Sequence, residues 1–151
     1  MVKKPKDNLT DADYEALSNL RYTLRRFMDF SASAAQEEGL PAQQHQALLA
    51  IRGHRSEDAM TIGILAERLL IAPHSATELV GRLVAAGYVL RQTDPADKRR
   101  QTLELTEKAD AVLKLLTAIH LTEIREMAPK LIDMLQSLQA GGELKSDAWP
   151  S

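Results

Sequence analysis

The chain has 151 residues, 44% apolar and 26% charged, enough for one compact domain or a binding unit with an oligomerisation element attached. It lacks cysteine, which excludes disulfide frameworks, thiolate metal sites and thiol redox chemistry. Its formal net charge of -2 gives no overall attraction to nucleic acid. The start, Met1 to Asn8, lacks a signal-peptide core, and no apolar run approaches the roughly 20 residues that span a bilayer, so a cytoplasmic protein is expected.

Thr10 ahead of Asp11 and Asp13 predicts a helix start, because a hydroxyl caps free amides and carboxylates favour the positive end of the helix dipole. Leu17, Leu20, Leu24, Phe27 and Met28 then form one apolar stripe running to about Glu37. Gly39 ends this helix, and Pro41 opens a second that stops near Gly53. A third short helix runs from about Thr61 to Leu69 and a fourth from Pro73 to about Ala86, with only Leu70, Ile71 and Ala72 between them. Gly87 suits the left-handed residue that ends the fourth.

A tight pair of helices whose second member buries Ala76, Leu79, Val80 and Leu83 and turns polar side chains outward is a helix-turn-helix pattern. Val89 to Thr93 and Arg100 to Leu105 read as two strands around Asp94, Pro95, Ala96 and Asp97, which makes a wing. From Arg91 to Arg100 four basic residues face two acids, a locally basic tip on a chain of slightly acidic balance. Thr106 and Glu107 start a long amphipathic helix reaching toward Met127, Pro129 introduces a final one, and 141–151 reads as a frayed tail despite Trp149.

The expected fold is therefore mainly α: a winged helix-turn-helix over 41–105 with a two-stranded wing, flanked by long N- and C-terminal dimerisation helices over 10–38 and 106–139. The flanking stripes carry more apolar surface than one small winged helix buries. Leu17, Leu20, Leu116, Ile119, Leu131 and Leu135 are the candidate interface of a homodimer; the alternative is an ordinary core within one chain.

The runs Leu65-Ala66-Glu67-Arg68-Leu69, Pro73-His74-Ser75-Ala76-Thr77 and Leu83-Val84-Ala85-Ala86-Gly87-Tyr88-Val89, then Arg91, Asp94-Pro95-Ala96-Asp97-Lys98-Arg99 and Leu103-Glu104-Leu105-Thr106, closely resemble the multiple antibiotic resistance regulator (MarR) family. The resemblance implies a homodimeric transcriptional regulator, usually a repressor, that binds double-stranded DNA at a pseudo-palindromic operator and is released by a small aromatic or phenolic ligand. It implies nucleoid association and, for Arg99, a place in the minor groove with Asp97 holding it.

The DNA-binding candidates are Pro73, His74, Ser75, Thr77, Glu78 and Arg82 on the fourth helix and Arg91, Asp97, Arg99 and Arg100 in the wing. Arg91 and Arg100 suit phosphates, which position a protein without reading sequence. Ser75 and Thr77 can donate to phosphates or base edges, although Thr77 can also bond back to its own helix. Three features depart from the family pattern. Ala72 replaces a capping Ser, Glu78 stands where Arg is common and is repelled by phosphate unless it accepts from cytosine, and Gly81 sits mid-helix without an evident reason.

Arg21, Tyr22, Arg25 and His45 are the candidates for an effector site, with solvated or interfacial roles as the plainer reading. His45, His54, His74 and His120 show no metal-ligand spacing, so no metal or cofactor is expected. Scattered carboxylates form no catalytic constellation, so an enzyme is not expected. The competing function is a winged-helix protein-interaction module without specific DNA binding, favoured by Glu78 and the net charge of -2.

Overall fold

The computed structural model describes residues 8–141, so the candidate tail with Trp149 lies outside the described residues beyond Gly141. The element order is α1 (Asp11–Glu37), α2 (Ala42–Arg52), α3 (Ile62–Leu69), α4 (Pro73–Ala85), β1 (Val89–Thr93), β2 (Gln101–Leu105) and α5 (Glu107–Gly141). The mainly helical winged-helix architecture expected from the sequence is the one observed, with long terminal helices and one two-stranded antiparallel sheet.

The termini of these elements follow from local chemistry. The Thr10 backbone amide donates to the Asp13 carboxylate at 2.8 Å while the Asp13 amide meets the Thr10 hydroxyl at 3.4 Å, a reciprocal cap for α1. α1 ends through Gly39 at φ 73°, where Leu40 N donates to Ala35 O at 3.0 Å. Thr61 caps α3 by accepting from Ile64 N at 3.2 Å. Pro41 and Pro73 stand at the starts of α2 and α4, and Ala72 supplies no side-chain cap, as its methyl group requires.

Two sequence expectations are corrected. β2 begins at Gln101 and not Arg100, because Arg100 N donates to Asp97 O at 3.0 Å and Arg100 O accepts from Asp94 N at 3.0 Å, so Arg100 closes the turn. Pro129 does not begin a separate helix: it lies inside the unbroken α5. Its ring nitrogen cannot donate to the carbonyl of Arg125, but both residues are exposed, so water can satisfy that carbonyl and the helix continues.

By its contacts the chain divides into two compact units, a central one over 31–120 and a terminal one combining residues up to 30 with those from 121 onward. The central unit holds α2 to α4, the hairpin, the end of α1 and the start of α5. Its core packs Leu40, Leu48, Leu65, Leu79, Val80 and Leu83 with Val89, Leu103, Leu113 and Leu116. Leu103 N donates to Met60 O at 2.9 Å, fastening the wing to the segment that precedes α3.

The terminal unit contains the first twenty residues of α1 and the last part of α5. The Thr23 hydroxyl lies 3.5 Å from Met134 Sδ, so the two helices meet within it, yet none of its described residues is buried. No helix among the described residues is long and apolar enough to cross a membrane.

Candidate nucleic-acid interface

α4 buries Ala76, Leu79, Val80 and Leu83 at three- and four-residue spacing, and this fixes its opposite face outward. Pro73, His74, Thr77, Glu78 and Arg82 are exposed there and Ser75 is half-buried. Thr77 donates its hydroxyl proton to Pro73 O at 3.1 Å, so it bonds back to its own helix and presents lone pairs outward instead of a donor.

The far end of α4 is tied to the first residues of α5. The backbone leaves the helix through Gly87 at φ 82°, exposing carbonyls that need donors. Thr106 supplies two, from its hydroxyl to Gly87 O at 2.7 Å and from its amide to Tyr88 O at 3.0 Å. Lys108 Nζ donates to Ala86 O at 2.7 Å while standing 4.4 Å from the centre of the Tyr88 ring, a cation over an aromatic face at a helix C-terminus. Sequence reasoning missed Lys108, whose only local signal is a basic residue shortly after the second wing strand.

The wing turn is built by two aspartates. Asp94 Oδ1 accepts from Ala96 N at 2.9 Å and Asp97 Oδ1 from Arg99 N at 3.0 Å, each a carboxylate bonding to the amide two residues on. Arg99 Nε stands 3.5 Å from the same Asp97 oxygen, and its side chain is 93% exposed. Asp97 therefore fixes the backbone from which Arg99 projects more firmly than it holds the guanidinium. Arg91 and Arg100 are also exposed. Arg91 reaches α4, where a Cβ placed on Gly81 would lie 3.7 Å from its terminal guanidinium nitrogen.

The candidate effector residues do not behave as one group. His45 is buried in the central unit at 3% exposure, with Nδ1 lacking a hydrogen-bond partner and its ring centre 5.0 Å from that of His120. Burial, and secondarily the neighbouring His120, push the His45 pKa below the ordinary 6.5, so the ring is held neutral. His45 thus offers an anionic ligand neither surface nor charge, which corrects that assignment. His120 is itself tied, its Nδ1 2.6 Å from Leu116 O and its Nε2 2.7 Å from the Ser31 hydroxyl. In the terminal unit, Tyr22 lines an open cavity of about 190 Å³ together with Arg26, Phe27, Glu123, Glu126 and Lys130. The α1 cation in that lining is Arg26, 5.9 Å from the Tyr22 ring centre, and neither Arg21 nor Arg25 takes part.

Of the candidate dimer residues, Leu17, Ile119 and Leu135 are exposed and Leu20 and Leu131 half-buried. Leu116 is corrected: it is wholly buried in the central core and has no surface to give a second chain.

Residues 38–100 match the family model described as MarR family. The transcriptional activatory protein BadR of Rhodopseudomonas palustris is 28% identical over 114 residues, a stretch covering 73% of this chain and 65% of that protein's length. AbsC, a MarR family transcriptional regulator from Streptomyces coelicolor, has the same fold, with a TM-score of 0.71 at 18% identity over 89% of this chain and 95% of that one. MepR of S. aureus, solved as a DNA complex, gives a TM-score of 0.58 at 21% identity over 82% of this chain and 98% of that one. The stretch similar to the MarR family thus holds the helix-turn-helix, the first wing strand and the wing turn, and the winged-helix fold of the two solved regulators extends over more than four fifths of the chain.

Proposed function

We propose that the protein binds duplex DNA as a homodimer, laying α4 into the major groove and inserting Arg99 into the adjacent minor groove of a pseudo-palindromic operator. The observation that carries this reading is Arg99, almost wholly exposed at the tip of a turn whose backbone Asp94 and Asp97 pin in place. A guanidinium so displayed suits the negative potential of a narrow minor groove. The DNA complex of MepR, a protein of the same fold, supports the same use of the fold here. A two-fold dimer spaces its two recognition helices by about one DNA turn, ~34 Å.

Repression requires only that the bound dimer occlude a promoter, and this is the sign we assign. BadR is named as an activator, so a promoter–reporter measurement with and without the protein is the direct check. A small aromatic or phenolic ligand suits the Tyr22 and Phe27 rings of the cavity whose charged lining, Arg26 and Lys130 against Glu123 and Glu126, is balanced, and its binding would release DNA only through different affinity for the two states.

Fluorescence anisotropy on the intergenic DNA beside its own gene tests the reading. Salt-sensitive, competitor-resistant binding is expected, and Arg99→Ala should weaken it by about 1–3 kcal/mol while the dimer stays folded. Unchanged affinity of Arg99→Ala at physiological salt would sink the role of Arg99. Absence of any competitor-resistant binding by the wild-type protein would favour the protein-interaction module.

A further inference from the structure

The recognition helix α4 carries one acid, Glu78, and one fixed base, Arg82, so its own side chains offer a polyanion no net charge. Glu78, Gly81 and Arg82 lie on neighbouring positions of one face by three- and four-residue spacing. At the middle of that face Gly81 has no side chain. The non-local atom that a Cβ there would meet within 4 Å is a terminal guanidinium nitrogen of Arg91, at 3.7 Å.

The hairpin explains how Arg91 arrives there. Arg91 pairs across the sheet with Leu103 and is two residues from Val89, and both of those are buried in the core that α4 helps to form. Directly opposed residues and residues two apart share one face of a sheet, so Arg91 projects on the side that covers α4. Leu90 and Gln92 project on the other. Arg91 is exposed because it lies past the edge of that core, where its long side chain runs on to the helix.

We propose that Arg91 works as part of the recognition helix, laid across the bare backbone of Gly81 so that a cation from the wing strand restores positive charge one turn from Glu78 and meets a phosphate bordering the major groove. Gly81 is then a positioning residue that acts through Arg91. This accounts together for the two features of the helix that sequence alone left unexplained, an acid on the outer face and a glycine in mid-helix. The inference rests on the DNA-binding reading above. A side chain larger than alanine at position 81 would occupy the space the guanidinium uses, whereas a Cβ alone makes an ordinary contact.

The test is a double-mutant cycle read by anisotropy on a duplex that the wild-type protein selects from a random-sequence library. Arg91→Ala and Gly81→Leu are each expected to weaken binding roughly tenfold and to lower the salt-dependence slope by about one. The double variant should bind no more weakly than either single one, since both remove the same contact. Arg91→Lys should recover part of the loss, and Gly81→Ala should stay within about twofold of wild type. Leucine forms helix better than glycine, and Gly81→Gln repeats the block without a new exposed apolar group. Additive losses in the double variant, or a full salt slope in Gly81→Leu and Gly81→Gln, would overturn the pairing of Gly81 with Arg91. A library from which the wild-type protein enriches no duplex fails the DNA-binding reading itself and takes the pairing with it.

Discussion

The central and terminal units are built from the same kinds of amino acid to opposite effect. Every buried residue among those described lies between Ala35 and His120, inside the central unit. The terminal unit instead shows Tyr14, Leu17, Leu24, Met28, Leu121, Ile124, Ile132 and Leu135 to solvent. An amphipathic helix is stable in water when its apolar face is covered, and within one protomer these faces are not. The contrast teaches that the central unit carries its own folding energy, whereas the terminal unit leaves its apolar side chains exposed; under the proposed function a second copy covers them.

Truncation in the core should break that comparison most sharply. Leu48→Ala removes a fully buried side chain from the central unit and is expected to cost about 2–5 kcal/mol in a urea melt. Leu17→Ala, at a position 53% exposed in the protomer, should move the melt only as far as it weakens self-association. Equal losses at the two positions would mean that the terminal unit has a core of its own after all.

Charge placed in the terminal stripe comes next. Leu17→Glu combined with Leu135→Glu should weaken self-association by at least about a hundredfold, close to 3 kcal/mol, because the proposed interface would have to bury unpaired carboxylates. Sedimentation should then show a monomer whose central unit still melts cooperatively. A variant that remains dimeric at low concentration would remove the terminal stripe from the interface.

The same contrast explains what could be read in the sequence. Helix starts at Thr10 and Pro73, the stops at Gly39 and Gly87 and the strand Val89–Thr93 were all legible because each depends on residues within a turn or two of itself. Leu116 was misplaced for the converse reason. Its spacing puts it on the apolar stripe of α5, but only tertiary packing reveals that the stripe begins inside the central core and ends in the terminal unit. Pro129 misled because local chemistry predicts a break, whereas an exposed carbonyl tolerates the lost bond. In the wing, Asp97 and Arg99 are two residues apart and their turn was visible. Lys108 at Ala86 and Arg91 at Gly81 join separate elements, so no local pattern could show them.

His45 allows a finer measurement inside the packed unit. Its pKa is lowered in the folded state, so folding favours the neutral ring. The unfolded chain takes up a proton first as pH falls through 6.5, and stability should decline from there down to the lowered folded value, by at most about 1.4 kcal/mol per pH unit. Above 6.5 the contribution is fully present and flat. His45→Leu leaves the unpartnered Nδ1 out of the interior and should flatten the acid limb of a stability–pH curve. Retention of the full slope in that variant would assign the acid sensitivity to another group.

The smallest expected effect concerns Leu70, which ends α3 in the central unit at φ 56° and ψ 43°. It is the one non-glycine residue with positive φ among those described, and it is 91% exposed. A left-handed L-residue costs roughly 1–2 kcal/mol, and an exposed side chain regains little of it by packing. Glycine adopts this conformation freely but also gives the unfolded chain more freedom, so Leu70→Gly should stabilise by a net of about 0.5–1 kcal/mol. Leu70→Ala keeps the Cβ that causes the strain and should change little. Comparing the two by urea midpoint in the monomeric background that carries both Leu17→Glu and Leu135→Glu separates backbone strain from the exposed apolar side chain. If alanine gains as much as glycine, the turn is not strained and the cost of Leu70 is that of its side chain in water.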